Sequence, residues 1–482
     1  MFLGIDLGTS ALKALVLDVD GAIVGTGSAA YPMTTPQPGW AESDPEDWWK
    51  AAGPAVREAA GAHGADIAAI GLSGQMHGVV LSDDAGQPLR PAILWPDGRT
   101  HRQLEAYGDL DAELRRRLGN PLATGMAGPT LLWLRDNERA NYRHAHWALQ
   151  PKDWLRLRLI GEAATEPSDA SATLLYDMTT DYWAKEILDA LDLRLDFLAP
   201  IRESVEICGV LNAVAAEHLG VRPNLPVVGG AADTAAAALA GGLLDPGPVQ
   251  LTIGSGAQVV APRDRLAIDP TARTHCYRAA APDHWYTMAA IQNAGIALDW
   301  VRTTLGATWE EMYAEAFAVE PAAEGLFFLP YLTGERTPYF DPTPRGAWIG
   351  LRLGHTRGHL LRAALEGVAF AIRQGLEALA ATGVPMTELR LAGGGSFDRR
   401  WRQLLADVIE QPLLATPTTA VSALGAALLA GVGFGAWPDA QRVAALAASP
   451  QLVATPGPAT DAYREPYLRY RQLYLPIAAA LA

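Results

Sequence analysis

The chain has 482 residues and a formal net charge of -15, long enough for about three domains on the usual scale and for a large buried core. That acidity argues against an extended phosphate-neutralising surface and against attraction to an anionic membrane, so neither nucleic acid nor membrane is an expected partner. Its two cysteines, Cys208 and Cys276, lie far apart in sequence; they offer no disulfide framework and no multi-thiolate metal site, which suits a reducing cytoplasm.

The chain opens Met1-Phe2-Leu3-Gly4-Ile5-Asp6, with no basic segment and a charge where a signal peptide would be apolar, so a strand is expected. Residues 2–30 predict three short strands turning at Thr9-Ser10 and Asp20-Gly21, an antiparallel meander. Asp44-Pro45-Glu46-Asp47 supplies an N-cap, a proline at the first helical position and acidic first-turn residues, opening a helix that Gly53-Pro54 is expected to kink. The apolar run Ile67 to Leu72 predicts a buried strand that ends in the polar loop Ser73-Gly74-Gln75-Met76-His77-Gly78. Further strands are expected at Val79 to Leu81 and Ala92 to Trp95. Polar residues gathered at strand ends point to a site.

A second unit of the same kind follows halfway along. Gln250-Leu251-Thr252-Ile253-Gly254-Ser255-Gly256-Ala257 lies over Gly4-Ile5-Asp6-Leu7-Gly8-Thr9-Ser10-Ala11 with the same order of apolar, polar, glycine and hydroxyl positions. Pro246-Gly247-Pro248 marks the join, which places the domain boundary near residue 245: an N-terminal domain over 1–245 and a C-terminal one over 246–482. Leu389 to Leu391, then Gly393-Gly394-Gly395 and a helix from Phe397 to Glu410, form another strand-loop-helix step. The apolar stretch Ala420 to Trp437 is rich in Ala and Gly, holds Ser422 and lacks a basic flank, so it reads as a tightly packed helix and not a membrane span. Gly431, Gly433 and Ala436 within it match G-x-G-x-x-A, but they follow a helical run where a dinucleotide site requires a strand.

Glycine-hydroxyl hairpins suit a triphosphate, because bare backbone N–H groups must come close to it and hydroxyls or a cation complete the cradle. Asp6-Leu7-Gly8-Thr9-Ser10 with Lys13 offers this, and so does Thr252-Ile253-Gly254-Ser255. Each alone is an ordinary turn; two at corresponding places in a duplicated chain favour phosphate binding. The Asp6 carboxylate would repel bare phosphate, so its expected role is to orient Mg²⁺, directly or through water. Gly394 and Gly395 are expected to let backbone approach a flat adenosine. No G-x-x-x-x-G-K-[ST] occurs, which excludes a P-loop site.

Asp233 follows the strand Pro226-Val227-Val228-Gly229-Gly230 and sits in the first turn of an Ala-rich helix, where the dipole favours an ionised carboxylate. It is either a helix cap or a general base. A sugar hydroxyl is far too weak an acid for outright deprotonation by a carboxylate, but in a loose phosphoryl-transfer transition state the proton moves late, so a positioned aspartate suffices. Glu335 and Arg336 are expected to be a structural ion pair or loop brace, and Trp48, Trp49 and Trp133 core aromatics.

These segments together resemble the FGGY family of sugar kinases along nearly the whole chain. The resemblance is carried by Gly4-Ile5-Asp6-Leu7-Gly8-Thr9-Ser10, Gly74-Gln75-Met76-His77-Gly78, Ile93-Leu94-Trp95, Pro151-Lys152-Asp153, Phe328-Leu329-Pro330-Tyr331-Leu332, Gly334-Glu335-Arg336-Thr337-Pro338 and Gly393-Gly394-Gly395. A further signature runs from Gly346 to Leu351 and on to Glu366.

The resemblance implies an α/β fold of two actin-like, hexokinase-type (ribonuclease H-like) domains with an interdomain cleft. ATP would lie mainly on the second domain and the sugar on the first. It implies that Asp6 serves Mg²⁺ and that Gly8, Thr9, Ser10 and Lys13 face phosphate together with Thr252, Gly254 and Ser255. Gly394 and Gly395 would flank adenosine, Asp233 would be the catalytic base, and Gln75, Met76, His77, Trp95 and Thr234 would contact sugar. Met76-His77 matches the sugar-contacting pair of ketose-specific members, where glycerol-specific members carry Arg-Glu; D-xylulose is therefore the expected substrate.

Three positions depart from the family pattern. Thr234 stands where Asn is common, Thr130 where a lysine is usual and Pro96 where Asn is common, which leaves L-ribulose or another ketose or polyol open. A homodimer is left open as well. Two other classes share the architecture, a nucleotide-gated actin-like ATPase and a catalytically silent sugar sensor.

Overall fold

The computed structural model describes residues 1–343, 345–415, 420–439 and 450–481. The first strand is buried along its whole length, whereas the third is largely exposed. Strands β1 (Phe2–Leu7), β2 (Ala11–Leu17) and β3 (Ile23–Ala30) form the expected antiparallel meander. Helix α1 (Pro45–Ala60) packs across β2 and β3. Its cap is the expected one, with the Asp44 carboxylate accepting from the Glu46 amide at 3.0 Å, and it runs on through Gly53-Pro54 as one continuous helix. Strand β4 (Ala69–Gly74) then returns parallel to β1, with Asp6 opposite Ser73.

The expected strands beyond the polar loop are short, Val80–Ser82 and Ala92–Ile93, so Trp95 lies outside the ladder. Helix α2 (Pro151–Ile160) and the single turn α3 (Pro167–Ala170) follow a small helical lobe. Strands β5 (Ile207–Val210), β6 (Pro226–Val228) and β7 (Ala231–Ala232) complete a sheet ordered β5-β6-β4-β1-β2-β3, with β7 beside β4. Helix α4 (Asp233–Ala240) leaves directly from β7.

The second half repeats this plan. Strands β8 (Gly247–Ile253), β9 (Ala257–Arg263), β10 (His275–Arg278) and β11 (Trp285–Ile291) come first. Then follow α5 (Arg357–Ala380), β12 (Met386–Ala392), α6 (Arg399–Ile409), β13 (Leu413–Ala415), α7 (Val421–Phe434) and β14 (Gln451–Ala454). The sheet order is β10-β11-β9-β8-β12-β13-β14. Like β1, strand β8 has an antiparallel neighbour on one side, β9, and a parallel one on the other, β12. The duplication expected from the hairpin sequences is therefore a duplication of sheet topology.

The two sheets are joined through α4 and α7. One buried cluster takes Phe2, Leu15 and Ala69 from the first sheet, Val260, Tyr286 and Met288 from the second, and the small residues of α4 and α7 between them. Although α7 belongs to the second half by sequence, it lies against β1, β4 and α4. The contact is backbone to backbone: a β-carbon at Gly4 would stand 1.9 Å from the Ala423 carbonyl oxygen, and one at Gly71 1.9 Å from that of Ala426. This accounts for the Ala- and Gly-rich composition of residues 420–437, and Gly431 and Gly433 are packing positions, against Trp437 and Val205, with no nucleotide role. Trp48 is fully buried, Trp49 stacks on His218 and Trp133 meets Trp40 edge-on.

Gly4→Ala is expected to destabilise the protein by about 1–3 kcal/mol, because the extra methyl overpacks a contact that cannot yield. Gly108→Ala, where a β-carbon meets nothing within 4 Å, should stay within about 0.5 kcal/mol of the parent. Equal denaturant midpoints for the two variants would show that α7 does not hold β1 in this way.

Candidate active site

Asp6 ends β1, opposite Lys13 on the antiparallel β2 and Ser73 on the parallel β4. Burial, and then the charge of Asp233, push its carboxyl up to about 7, while Lys13 and the Ser73 hydroxyl pull the other way. One carboxylate oxygen, Oδ1, is buried without a hydrogen-bond partner. Past Asp6 the chain turns tightly: the Gly8 amide donates to the Ala11 carbonyl at 3.1 Å, whereas among the described residues the amides of Thr9 and Ser10 find no acceptor. The turn is braced from behind by Tyr31, whose hydroxyl donates to the Gly8 carbonyl, and by Gln75, whose Nε2 donates to the same oxygen at 3.2 Å. Trp95 Nε1 donates to Thr9 Oγ1 at 3.0 Å. Gln75 and Trp95 thus hold the first hairpin, while Lys13 is exposed beside it.

Asp233 starts α4, and its carboxylate faces Asp6 closely enough to raise the latter's pKa. Thr234 donates to Asp233 Oδ1 twice, from its amide at 2.5 Å and from its hydroxyl at 3.0 Å, leaving the second oxygen without a protein donor. The helix dipole does not keep this group at an ordinary carboxylate pKa, as expected from position alone: burial prevails and pushes it up to about 6, against the two Thr234 hydrogen bonds. Ser422 of α7 donates to the Asp233 carbonyl at 3.1 Å, tying the start of α4 to the crossing helix.

The sugar-loop residues sit beside these carboxylates. His77 adopts a left-handed backbone, φ 72°. Its amide donates to Gln150 Oε1 at 3.1 Å and its Nδ1 lies 2.7 Å from the Ala172 carbonyl. A carbonyl can only accept, so Nδ1 carries the proton and Nε2 is left as an acceptor. Burial pulls the ring down to about 4, with the Arg336 charge adding to the shift and the Ala172 carbonyl opposing it. Met76 is buried, with its sulfur 4.0 Å from the Tyr286 hydroxyl on the second sheet. The second half closes over the loop through β10: the Tyr277 ring lies 6.2 Å from that of His77, and Tyr277 and Asn120 both reach His275.

The second hairpin lies at the corresponding end of β8. Thr252 accepts from Gln250 Nε2 at 3.2 Å, Gly254 donates to the Gly256 carbonyl at 2.8 Å, and the Ser255 amide, like those of the first hairpin, finds no acceptor among the described residues. Gly393 to Gly395 pack directly on this strand end. A β-carbon at Gly393, where φ is 90°, would stand 2.3 Å from the Ile253 carbonyl oxygen, while Gly394 faces open space. The three-glycine turn and the second hairpin therefore lie together at the end of β8.

Several contributors escaped the sequence reading. Behind the sugar loop, Lys152 Nζ is 2.6 Å from Asp153, 3.1 Å from Asp169 and 3.4 Å from Glu166, all fully buried. Arg156 adds a 2.7 Å pair to Asp153. Burial raises Asp169 well above the carboxylate range, whereas at Asp153 the opposing charges of Lys152 and Arg156 outweigh burial and hold it low. Two cations thus stand among three buried acidic side chains. Through Gln150, which also donates to the Asp169 carbonyl at 2.6 Å, this cluster anchors His77. Through Ser168, which donates to Glu166 and accepts from the Ala232 amide at 2.9 Å, it anchors the start of α4. The only sequence signal was the motif Pro151-Lys152-Asp153. Tyr277 and His275 gave none, being two residues of an ordinary buried strand.

The expected ion pair of Glu335 with Arg336 is absent. Glu335 is a brace, accepting from the Gln292 and Arg336 amides at 2.6 and 2.8 Å; with that oxygen so occupied, the Arg336 guanidinium turns away and lies 5.9 Å from the Trp95 ring centroid across the cleft. Cys208 and Cys276 are both free thiols.

A divalent cation fits this site. The orphaned Asp6 Oδ1 in the field of a second buried carboxylate is an arrangement that a cation would relieve. No cluster of three or more His, Cys, Asp or Glu side chains able to hold a metal occurs among the described residues, consistent with an ion completed by nucleotide phosphates and water, as is usual for Mg²⁺.

A duplicated sheet with matching phosphate-type hairpins, a carboxylate base position and a neutral histidine loop defines an enzyme that moves a phosphoryl group to a small polar acceptor. Residues 1–240 match the N-terminal domain, and residues 250–434 the C-terminal domain, of the FGGY family of carbohydrate kinases. The chain belongs to that family and is a sugar kinase that uses ATP with Mg²⁺. It is 35% identical to the xylulose kinase of Escherichia coli K12, over 99% of this chain and 100% of that protein. The crystal structure of a xyloylose kinase from Brucella ovis superposes with a TM-score of 0.92 at 35% identity, covering 100% of both chains. A ligand-bound xylulose kinase from Lactobacillus acidophilus gives 0.93 at 26% identity, covering 99% of this chain and 98% of that one. Among the described residues no helix is long and apolar enough to cross a membrane.

The raised pKa of Asp6 fixes the sign of a stability experiment. A carboxyl with a folded pKa of about 7 against 3.8 when unfolded binds protons more readily in the folded state, so its stabilising effect is complete at low pH and is lost as pH rises through 7. Without metal, Asp6→Asn should therefore melt at a higher temperature than the parent at pH 8, and the gain should shrink toward pH 5. Added Mg²⁺ with nucleotide should stabilise the parent far more than the variant. A lower melting temperature for the variant at pH 8 would contradict the electrostatic reading.

Proposed function

We propose that the chain phosphorylates a ketopentose, D-xylulose first, at the C5 hydroxyl, with Asp233 as general base. The observation that carries this is the Asp233 carboxylate: Thr234 donates twice to one oxygen, among the described residues nothing donates to the other, and the charge of the group reaches Asp6. Met76 and His77 support the choice of sugar, as do the names of the relatives.

The residues divide the work. His77 Nε2, held as an acceptor by the Ala172 carbonyl and kept neutral by burial, takes a hydrogen bond from a sugar hydroxyl; Gln75 and Trp95 fix the adjoining walls. The acceptor hydroxyl donates to Asp233 and its proton passes to that carboxylate late, once the forming O–P bond has made it acidic. The open amides of Thr9, Ser10 and Ser255, with Gly8, Lys13, Thr252 and Gly254, cradle the phosphates, and Gly394 and Gly395 lie along adenosine. Magnesium, bound by Asp6 directly or through water, neutralises charge on the phosphates. Thr234 donates to Asp233 where an Asn would reach the sugar, so in this chain it orients the base.

We assign residues 1–245 to a sugar-binding, base-carrying domain and 246–482 to an ATP-binding one; the Pro246 join between α4 and β8 supports this. Net charge and free thiols suit a cytoplasmic enzyme without nucleic acid or membrane partners. L-Ribulose or another polyol is the second reading of the substrate, favoured by Thr234 alone.

Asp233→Asn preserves shape and the Thr234 amide contact but removes the proton acceptor. Sugar affinity by calorimetry should hold within a few fold while kcat falls by about 10²-fold or more. If Asp233 were only a cap, Asn would serve nearly as well and turnover would stay near normal. In a coupled ADP-release screen over pentuloses, hexuloses, gluconate and glycerol, D-xylulose should give the highest kcat/KM; a tenfold preference for another substrate would remove the assignment of sugar and leave the kinase.

A further inference from the structure

Arg336 is the one cleft residue whose fixed charge the reaction just described leaves unused. Its backbone is immobilised: Glu335 accepts the Arg336 amide at 2.8 Å, the next residue's amide donates to the Ala290 carbonyl at 2.9 Å, and the Thr337 hydroxyl donates to the Arg273 carbonyl at 2.9 Å. The side chain is not held in the same way. Among the described residues its guanidinium makes no hydrogen bond and no ion pair, although it is only partly exposed. It lies 5.9 Å from the centroid of the Trp95 ring of the other half, the outer limit of a cation–π contact. An arginine so poorly satisfied inside a cleft is short of acceptors, since the guanidinium carries five donors and no acceptor.

Its position within the pocket follows from the contacts of its loop: Arg336 faces the Trp95 ring, and Phe340 of the same loop lies edge-on to His275 at 5.7 Å, which stacks on Tyr277 beside His77. Arg336 therefore stands with the sugar loop and β10, and its charge is felt at both His77 and His275. A substrate with its reacting hydroxyl at Asp233 presents its far end to Arg336. For a 2-ketose phosphorylated at C5, that end carries the C2 carbonyl and the C1 hydroxymethyl group, two oxygens on adjacent carbons. A carbonyl is acceptor-only, so it calls for a donor, and His77 Nε2 cannot supply one. A planar guanidinium presents parallel N–H groups at the right spacing for such a pair.

We propose that Arg336 recognises the keto end of the sugar, donating from its guanidinium to the C2 carbonyl and C1 hydroxyl oxygens across the closed cleft. The inference rests on the reading of the substrate as a 2-ketose. Because Arg336 comes from the second half and His77 from the first, the same contact couples sugar recognition to closure of the two halves: a sugar lacking this end leaves the guanidinium over Trp95.

The test compares Arg336→Gln and Arg336→Lys with the parent on D-xylulose and on 1-deoxy-D-xylulose, which lacks the C1 hydroxyl. Arg336→Gln should raise KM for D-xylulose roughly 10- to 100-fold, the range for losing hydrogen bonds from a charged donor. Its kcat should stay within about threefold, and KM for ATP and the melting temperature should not change. Arg336→Lys, which keeps the charge but loses the fork, should fall between the two. The KM penalty of Arg336→Gln should be smaller on the 1-deoxy sugar, because one of the two acceptors is already missing. An unchanged KM for D-xylulose, or an equal penalty on both sugars, overturns the proposal. A fall in kcat with KM unchanged would instead place Arg336 on the transferred phosphate and also overturn it. If neither variant melts like the parent, the role is structural and the proposal fails. The assignment of D-xylulose fails separately, on the parent enzyme's ranking of sugars.

Discussion

Two carboxylates brought together away from water set the terms for the rest of this structure. Asp6 and Asp233 come from different elements, the end of a central strand and the start of a helix; burial raises both, and the charge of Asp233 adds to the cost of ionising Asp6. Such a pair persists only where the surrounding fold is rigid enough to hold both in place without a counter-charge between them. That rigidity comes from α7, which packs on the first sheet at backbone contact distance through Gly4 and Gly71 and on α4 through Gly425. A larger residue at either glycine would push the helix out and carry Asp233 away from Asp6. Part of the free energy of folding is thus held as electrostatic strain that substrate and cation relieve.

The buried cluster of Lys152, Asp153, Arg156, Glu166 and Asp169 answers the same requirement from behind. Buried ion pairs are weak sources of net stability, because desolvation offsets most of their attraction. Here their value is geometric. One network fixes both the His77 loop, through Gln150, and the residue before Asp233, through Ser168. The His77 loop and the start of α4 are therefore referenced to a common, fully dry set of charges.

The two halves have different local chemistry. The first carries side chains that act on hydroxyls and protons; the second presents mainly backbone, at Ser255 and along Gly393 to Gly395. Backbone amides and glycines read a nucleotide by shape and charge, while histidine, aspartate and methionine discriminate among polar acceptors of similar size. Arg336 is the exception, a charged side chain from the second half turned toward the first, and β10 brings His275 and Tyr277 to the same wall. Since in-line transfer requires the halves to close and exclude water, the contacts that span them, Trp95 with Arg336 and Met76 with Tyr286, lie where closure is felt first.

The sequence by itself determined the duplicated plan and most of the polar site. Glycine-hydroxyl hairpins at strand ends are local features: the turn at Gly8-Thr9-Ser10 follows from which residues tolerate a tight turn, and its repeat at Gly254-Ser255 exposed the duplication before any contact was known. The Asp44 cap, the burial of β4 and the close packing within the Ala420 to Trp437 stretch were legible for the same reason, that each depends on neighbours in the chain. What depends on residues distant in sequence was not legible. The dipole at the start of α4 suggested an ordinary ionised Asp233, but burial in the packed interior decides its pKa. Adjacency left Glu335 and Arg336 as an ion pair or a loop brace, and the backbone just past β11, at Gln292, takes a carboxylate oxygen while the guanidinium lies toward the cleft. That β10 contributes to the pocket, and that α7 leaves its own half to pack on the other sheet, were likewise fixed only in three dimensions. Desolvation and long-range charge are properties of the packed interior, and no local pattern of residues encodes them.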